Sequence, residues 1–498
     1  MKFRSLLTAA ALAALPALVH AEPKVRTITL DECLQEAFEN NLDLKIIRYS
    51  PELAELALTS SYGAYDPTYS FGYDANKANI PPQFRIDQVQ APQNTSWGQN
   101  YTMGVGGLLP TGADYRLFGG LNPQRSRFLF GDNLDYQNSV NGRSGVELTQ
   151  PLLRDLWIDQ VRWSISLNKK TILQQEQSVR SQLIQTATAV QSAYYRVAAA
   201  RGAITVQEQA VQLAERLLSE NRKRVEVGAM APLESQQAES QLAGARANLI
   251  TAQESFGLAQ NTLRQLLTSD YGDLADTTLE PGDKFIPQPY PYNRPESWSR
   301  GLTMRPDIIQ SQLEMEKQNV TVRFRRNQMF PQLDLVSSFS VAVNTENLST
   351  SLNQLANTDF KAYGVGARLT FPLGNRSASS GFKSAKLQRE QLILQHKLLE
   401  QFIMARIDNA ILVAQSSFLR IEATKQARIY GEAALDAEQK KLENGKSTTF
   451  EVLRLQRDLT DARFTEVRSL LDYFIAMVAL FEIEGSTLER LGVRVTSN

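Results

Sequence analysis

Two long stretches of the chain show the 3.6-residue spacing of apolar positions that is typical of α-helices. Residues 155–227 contain no proline and only one glycine, and residues 384–443 are interrupted by a single glycine. A continuous helix over the first stretch would be about 110 Å long at about 1.5 Å per residue, which exceeds a compact domain. Each stretch is followed by a glycine-centred turn and a second helical pattern, over residues 233–267 and 449–484. The sequence therefore predicts two long antiparallel helical hairpins.

Before each hairpin the spacing of apolar positions changes to two, which is typical of β-strands. Aromatic or aliphatic residues alternate there with small or polar ones. The apolar positions are Tyr69, Phe71, Tyr73, Tyr101, Met103 and Val105 in the first half of the chain, and Leu333, Leu335, Phe339, Val341, Tyr363, Val365, Ala367, Leu369 and Phe371 in the second. Taken alone, this alternation fits either a half-buried soluble sheet or lipid-facing strands of a barrel.

The number of strands favours the barrel. Two strands in each half make four per chain, and four strands cannot close around a lumen. Because the helices are expected to pack with one another in a long narrow assembly, they do not cover the sheet. The open sheet edges are therefore expected to pair with other copies of the chain. Twelve strands from three chains is then the smallest closed count that is wide enough for a channel. A further segment turns at Pro110, Thr111 and Gly112, and it predicts either two more strands per chain or a projecting loop.

The two halves are copies of one another. The two helical hairpins align with Gly228 on Gly445 and Glu234 on Glu451, and the halves differ by an insertion of about 43 residues in the first strand region. We predict a first repeat over residues 22–279, with strands at about 67–152 and a hairpin at about 153–267. A Pro-rich linker follows at 280–296. The second repeat spans 297–485, with strands at about 331–372 and a hairpin at about 373–485, and the tail is 486–498.

The N-terminus predicts export. Lys2 and Arg4 precede an apolar run, and small residues lie before Glu22, which is the pattern of a cleaved signal peptide over residues 1–21. The remaining sequence has no apolar run long enough for a membrane-spanning helix, so we expect any membrane segment to be built from strands.

Composition excludes several classes of protein. The 53 Lys and Arg residues balance the 53 Asp and Glu residues, so the basic patch of a nucleic-acid-binding protein is not expected. One cysteine and two histidines, His20 and His396, leave almost nothing from which to build a disulfide framework, a metal site or a hydrolytic triad. The sequence therefore predicts neither an enzyme nor a cofactor-binding protein.

The chain resembles the TolC-type outer-membrane efflux proteins. The resemblance is carried by the duplicated order of elements, the prolines at the strand–helix junctions (Pro67, Pro151, Pro331 and Pro372), the segment "TQPLLRD" and the paired glycine turns. It implies a mixed α and β fold, in which a homotrimer forms an outer-membrane β-barrel continued by a long periplasmic α-helical barrel. It also implies a passive exit duct that works with a periplasmic adaptor protein and an inner-membrane pump, in tripartite efflux or type I secretion. In this family the glycine turns form the rim that faces the adaptor.

The resemblance also implies which residues form the site at the periplasmic tip. Gly228 and Gly445 are the tip turns, and Glu234 and Glu451 occupy positions that bear acidic gate residues in the family, with Lys446 and Arg454 nearby. The alternative is helix capping. Thr448 and Glu451 fit a capping box, and Pro232 places Glu234 in a first helical turn. Both roles can coexist, since three copies would bring six carboxylates to the mouth of a duct. Leu442 and Ser447 stand where TolC itself has an aromatic and a basic gate residue.

Two other classes of protein are weighed against the duct. A periplasmic adaptor usually has one long hairpin between small β-domains, whereas this chain has two duplicated hairpins, each preceded by alternating strands. A secreted hydrolase is disfavoured by the shortage of histidines and the lack of a compact α/β pattern. Drug, metal and protein export remain open as cargo, because a passive duct takes its specificity from the pump.

Overall fold

The computed structural model describes residues 24–80, 94–130, 133–357 and 359–493. These residues form two compact units. The first unit comprises the residues up to Ile47, Ser181–Arg305 and the residues from Ile403 onward, and the second comprises Arg48–Arg180 and Pro306–Phe402. Each sequence repeat therefore contributes to both units. The predicted signal peptide, residues 1–21, lies outside the described residues.

The helices and strands follow the duplicated order. In the first half they are β1 (Lys24–Ile28), α1 (Leu30–Asn40), α2 (Leu42–Ile47), α3 (Tyr49–Tyr62), β2 (Thr68–Ile80), β3 (Asn94–Leu108), β4 (Asp114–Phe130), β5 (Asn133–Pro151), α4 (Gln160–Glu226) and α5 (Pro232–Leu267). They continue as β6 (Thr277–Pro281), α6 (Arg294–Met304), α7 (Pro306–Asn327), β7 (Gln332–Thr345), α8 (Leu348–Asn357), β8 (Lys361–Thr370), α9 (Arg376–Glu443), α10 (Thr449–Glu484) and α11 (Thr487–Arg490).

The two predicted helical hairpins are confirmed. The first helices of the hairpins, α4 and α9, have 67 and 68 residues, and each returning helix, α5 and α10, has 36. Small and helix-forming residues keep these helices continuous, and α10 ends where Gly485 adopts a left-handed φ of 71°. Both first helices begin in the second unit and end in the first unit.

Six strands of the second unit form one antiparallel sheet in the order β2-β3-β4-β5-β7-β8. The chain therefore has six strands rather than four: of the two alternatives that the sequence left open for the insertion in the first repeat, two further strands and a projecting loop, the structure has the strands. The segment around Pro110 is a tight turn between β3 and β4, in which Gly112 has a φ of 84° and the Leu109 N–H donates to the Ala113 carbonyl over 2.7 Å. Glycine is required at that position because other residues rarely adopt positive φ.

The register of the sheet separates two faces, because it is constant along every strand pair. We call one of them the apolar face. Its apolar members include Tyr69, Phe71, Tyr73, Tyr101, Met103, Val105, Leu117, Leu121, Val146, Leu148, Leu333, Leu335, Phe339, Val341, Tyr363, Val365 and Leu369. The polar face includes Asp74, Asn100, Thr102, Arg116, Asn122, Arg143, Glu147, Ser338, Ser340 and Arg368. Apolar residues on the apolar face are largely exposed, with Val365 reaching 80%.

Helix α8, which the sequence did not predict, packs on the apolar face over β5 and β7. A Cβ placed on Gly142 would lie 3.2 Å from Leu355 Cδ1 and 2.8 Å from Val343 Cγ2, so the helix approaches the sheet closely at this glycine. Leu348 and Leu352 of the same helix stay exposed, at 43% and 53%.

The core of the first unit surrounds a short parallel pair of strands, β1 and β6. Cys33 and Tyr194 are fully buried beside it, and the Tyr194 hydroxyl donates to Asp283 Oδ2 over 2.7 Å. Thr29 and Glu32 form a capping box at the start of α1. The Pro-rich segment after β6 packs by its aromatic rings, among them Phe285, whose ring centroid lies 5.9 Å from that of Phe474.

Within the described residues, one helix is apolar enough by length and composition to cross a membrane. It is α9, which contains an 18-residue window with a mean hydropathy of 1.2, of which 33% is buried. The most buried residues of α9 include Ile403 and Ile407, which pack against Gly301 of α6.

Candidate functional site

The two hairpin turns of the first unit have the same backbone. Gly228 and Gly445 adopt φ values of 73° and 70°. In both turns the glycine N–H donates to the carbonyl three residues earlier, and the next N–H donates to the carbonyl five residues earlier. This is the Schellman ending of a helix, which requires a left-handed residue after the last helical turn. A Cβ on either glycine would meet no described atom within 4 Å, so the backbone conformation alone selects glycine.

The carboxylate of Glu234 links the first hairpin to the second. Glu234 Oε2 accepts a hydrogen bond from Thr449 Oγ1 over 2.5 Å, and Thr449 is fully buried at the start of α10. The backbone carbonyl of Glu234 accepts from Asn221 Nδ2 over 3.4 Å, which holds α5 against α4. The side chain of the preceding N-cap residue, Ala231, cannot cap the helix. Glu234 thus lies in a first helical turn, as predicted, but its side chain bonds to the other hairpin.

The carboxylate of Glu451 stays on its own helix. It forms an ion pair with Arg454 Nη2 at 2.7 Å, while the Glu451 N–H donates to Thr448 Oγ1 over 3.4 Å. Of the two hydrogen bonds in the predicted capping box, the structure has the one from the backbone to Thr448, and the carboxylate is drawn to Arg454 instead. The two candidate glutamates therefore have different partners.

Lys446 is brought to the second turn but not to the carboxylates. Its side chain is exposed, and within the described residues no carboxylate lies within 4.0 Å of its ammonium group. The neighbouring cation Lys441 pairs with Glu438 at 2.9 Å, and Glu438 also accepts from Ser447 Oγ over 2.5 Å. The Ser447 hydrogen bond, with Lys441 adding to it, lowers the pKa of Glu438. The exposed turn is thereby tied to α9 by Glu438, which sequence reasoning missed.

A second link between the hairpins was also missed. Arg224 Nη1, near the end of α4, donates to the Leu442 carbonyl near the end of α9 over 3.2 Å. A cation at a helix C-terminus stabilises the carbonyls that have no partner within the helix. For Glu438 the repeat alignment held a signal, because Asn221 is its equivalent in the first hairpin and both side chains bond across the turn of their own hairpin.

Beneath the turns the two hairpins share an apolar core. Leu217 of α4 packs with Leu435, Leu442, Val452, Leu453 and Leu459 of the second hairpin. Its neighbour Leu218 packs with Ala238, Leu242 and Ala245 inside the first hairpin. Adjacent leucines on α4 thus face two different partners, and Leu442 belongs to the core that the two hairpins share.

An ionic ladder continues away from the turns. Glu432 of α9 accepts from Arg463 Nη2 at 2.8 Å and from Arg428 Nη1 at 2.9 Å, and Arg428 also pairs with Glu466. Arg463 reaches α4 as well, where its Nη1 donates to Gln209 Oε1 over 2.9 Å. The hydrogen bond from Arg463, followed by the charge of Arg428, lowers the pKa of Glu432.

Comparisons with known proteins place this arrangement in a family. The sequence profile of the family described as outer membrane efflux protein matches residues 116–269 and 299–486, which is more than half of the chain. The outer membrane efflux protein BepC of Brucella suis is 22% identical over 368 residues, which cover 72% of this chain and 75% of BepC. The outer membrane protein TolC of Escherichia coli is 23% identical over 398 residues, covering 74% and 77%.

The fold supports the same assignment. The crystal structure of the CmeC outer membrane channel of Campylobacter jejuni is similar with a TM-score of 0.67 at 16% identity, covering 92% of this chain and 86% of that chain. The chain therefore belongs to the outer membrane efflux protein family. The profile match begins inside β4, so β2 and β3 lie outside the matched residues.

Proposed function

We propose that this chain is one subunit of a passive exit duct, with its six-stranded sheet in the outer membrane and its helical hairpins in the periplasm. In this arrangement an inner-membrane pump delivers the substrate through a periplasmic adaptor, in tripartite efflux or type I secretion, and the duct performs no chemistry. The observation that carries the proposal is the single apolar face shared by strands of both repeats, since a soluble sheet would need a covering layer over so much exposed apolar surface.

The size of the apolar face fits a bilayer. On β7 the part that α8 leaves uncovered runs from Leu333 to Val341, about 9 residues, which falls within the length of about 9–11 residues of a strand that crosses the hydrocarbon core with a tilt of about 45°. Large apolar residues flank the sheet near the helix junctions, with Trp157 exposed to 82% and Phe371 to 49%. Aromatic side chains of this kind favour the membrane–water interface.

The open edges of the sheet support assembly from several copies. Strands β2 and β8 are the two edges, and each has a free row of backbone hydrogen-bonding groups that a neighbouring copy can pair. Exposed apolar residues also recur along α9, including Leu387, Leu394, Leu398 and Phe402. With six strands per chain, the homotrimer that the family resemblance implies would close eighteen strands rather than twelve.

Fractionation and native mass spectrometry of the detergent-extracted protein test the location and assembly. We expect an outer-membrane, heat-modifiable trimer. A monomer in the soluble periplasm would contradict the duct, and a dimer would replace the eighteen-stranded barrel with a twelve-stranded one.

Gating at the hairpin turns is the second part of the proposal. The turns after α4 and α9 are exposed at Gly228 and Gly445, and in this proposal they face the periplasm. Glu234, bonded to Thr449, and Arg224, bonded to the Leu442 carbonyl, hold the two hairpins of one subunit together there. Opening requires these contacts to yield, and the exposed turns at Gly228 and Gly445 are the surface on which the adaptor docks.

Planar-bilayer recordings test the gate. Around a three-fold axis Glu234 and Glu451 would supply six carboxylates, and two charges about 8 Å apart repel by roughly 2 kcal/mol at an effective dielectric constant of 20. We expect the double variant Glu234→Gln and Glu451→Gln to lose cation selectivity and block by trivalent cations, with trimer abundance nearly unchanged. Unaltered selectivity with an earlier-melting trimer would mean that the glutamates only stabilise the helices.

A further inference from the structure

The charged residues of the apolar face are all cations and lie toward strand ends. Within the described strands they are Lys77, Arg125, Arg127 and Lys361, and no carboxylate shares the face. Three of them come together at the ends of β2 and β4 that lie away from the Gly112 turn. We call Lys77, Arg125 and Arg127 the basic patch.

The register of the sheet builds the patch from two adjacent rows. Lys77 pairs with Trp97, and Trp97 pairs with Arg125, so these three side chains lie side by side across β2, β3 and β4. In the next row Arg127 lies opposite Tyr136 of β5. The patch therefore alternates cations with aromatic rings on a surface that four strands hold rigid.

The aromatic rings, rather than carboxylates, position the cations. Lys77 Nζ lies 5.4 Å from the ring centroid of Trp97, and Arg125 Cζ lies 4.6 Å from that of Tyr136. Among the described residues, none of the three cations forms an ion pair with a carboxylate. A cation held over a ring keeps its charge and most of its hydrogen-bond donors available for a further partner.

The place of the patch on the sheet indicates the partner. The patch continues the apolar face toward the strand ends that lie away from the Gly112 turn, where Trp97 and Tyr136 are the aromatic residues typical of a membrane–water interface. Basic groups at such an interface bind the headgroups of anionic lipids, and Arg and Lys form charge-assisted hydrogen bonds with phosphate oxygens. A free anion would make no contact with the adjoining apolar surface, whereas the acyl chains of a lipid would pack against it.

We propose that the basic patch binds the phosphate groups of an anionic lipid of the outer leaflet, a phosphorylated glycolipid such as lipopolysaccharide. The inference rests on the proposed function, because it takes the apolar face to be the lipid-facing surface. The polyphosphorylated headgroup suits three cations spread over adjacent strands, while the aromatic rings lie at the level where headgroup and acyl chains meet.

Lipid titration of the purified full-length protein in mild detergent tests the proposal, with the shift in melting temperature as readout. Lipopolysaccharide should raise the melting temperature, and phosphatidylcholine and inorganic phosphate should not. The variant with Lys77→Gln, Arg125→Gln and Arg127→Gln should bind lipopolysaccharide at least about tenfold more weakly, because charge-assisted hydrogen bonds are lost. The charge-conserving variant with Lys77→Arg, Arg125→Lys and Arg127→Lys should retain most of the binding.

The matched control removes three cations from the polar face of the same sheet, by Arg116→Gln, Arg143→Gln and Arg368→Gln, and should leave the lipid response unchanged. Equal lipopolysaccharide binding by the wild type and the patch variant would overturn the proposal, and so would an equal shift by inorganic phosphate alone. Fractionation separates this failure from failure of the duct: an outer-membrane trimer whose patch variant binds normally contradicts only the lipid site, while a protein outside the outer membrane contradicts both.

Discussion

The sheet and the hairpin turns keep different features of the duplicated repeats. In the sheet, strands of both repeats present one apolar and one polar face, although the first repeat supplies four strands and the second only two. At the turns, the backbone is the same in both repeats down to the glycine φ values of 73° and 70°, but the glutamates that follow have different partners. In the sheet, the two repeats share the apolar and polar character of the faces but not the number of strands. At the turns, they share the backbone conformation but not the side-chain contacts.

This difference has a physical cause. A strand in a bilayer is selected for what each face touches, so its side chains are constrained and the number of strands can change by whole hairpins. A helical hairpin must reverse at a fixed point, which constrains the backbone. Its side chains are then free to diverge, and in this chain one copy, at Glu234, has acquired the contact that joins the two hairpins.

We expect the largest effect on trimer assembly from substitutions in the sheet. Val365 and Gly366 are neighbours on β8, but they lie on the apolar and the polar face respectively. Val365→Arg should cost about 2–4 kcal/mol near mid-bilayer and reduce outer-membrane trimer on unheated gels. Gly366→Arg should be tolerated, because a Cβ there meets no described atom within 4 Å. Equal loss for both variants would mean that the two faces do not have different surroundings.

At the hairpin turns we expect an effect on stability that depends on the backbone conformation alone. Gly445→Ala should destabilise the turn by about 1–2 kcal/mol, because alanine is strained at positive φ. Gly244→Ala, in the middle of α5 where a Cβ meets no described atom, is the control and should stabilise by up to about 1 kcal/mol. The melting temperature of the detergent-extracted trimer measures both. If the two variants shift it in the same direction, the turn does not need a left-handed residue.

The side-chain difference between the turns can be isolated at Thr449. Thr449→Val keeps the shape of the residue but removes the hydroxyl that donates to Glu234, and it should weaken the link between the hairpins by about 1–2 kcal/mol. The open probability in single-channel recordings should rise. Thr460→Val is the control, since that hydroxyl donates to the Gln456 carbonyl of its own helix. An open probability that rises equally in the control would remove the special role of Glu234.

The smallest effect is a pH dependence at Glu432. Its arginine partners lower its pKa in the folded state, so the stabilisation is complete above the unfolded pKa of about 4.3 and is lost as the pH falls through the lower folded value. For such partly exposed pairs we expect less than about 1 kcal/mol. Melting of the trimer at pH 7 and pH 3.5 should show a loss in the wild type that is reduced in Glu432→Gln. An identical loss in both proteins would assign the pH dependence to other carboxylates.

The sequence was a reliable guide where a local rule decides the structure. The returning helices were predicted at 233–267 and 449–484 and are found as Pro232–Leu267 and Thr449–Glu484, because prolines, caps and glycines mark their ends. The number of strands could not be decided, since β4 contains two glycines and a proline that weaken the alternation of apolar positions. The pairing of β1 with β6 was missed because both strands have only five residues and lie far apart in the chain.

The sequence predicted where the candidate site residues lie, but not which hydrogen bonds and ion pairs they form. Gly228, Gly445, Glu234 and Glu451 lie at the turns, as the repeat alignment indicated. The hydrogen bond from Thr449 to Glu234 joins residues 215 positions apart, and local capping rules already accounted for both turns. The packing of Leu217 against the second hairpin, which no local rule reveals, helps to bring the two turns close enough for that bond.

The single cysteine has a practical consequence for labelling. Cys33 is fully buried, and burial raises the pKa of its thiol to about 12, so near neutral pH it remains protonated and hidden from reagents. The native chain is thus silent toward thiol-reactive probes. A cysteine introduced at exposed Lys446 would be the one reactive thiol per subunit, so a spin label or fluorophore there could report distances across the assembly without first removing a native cysteine.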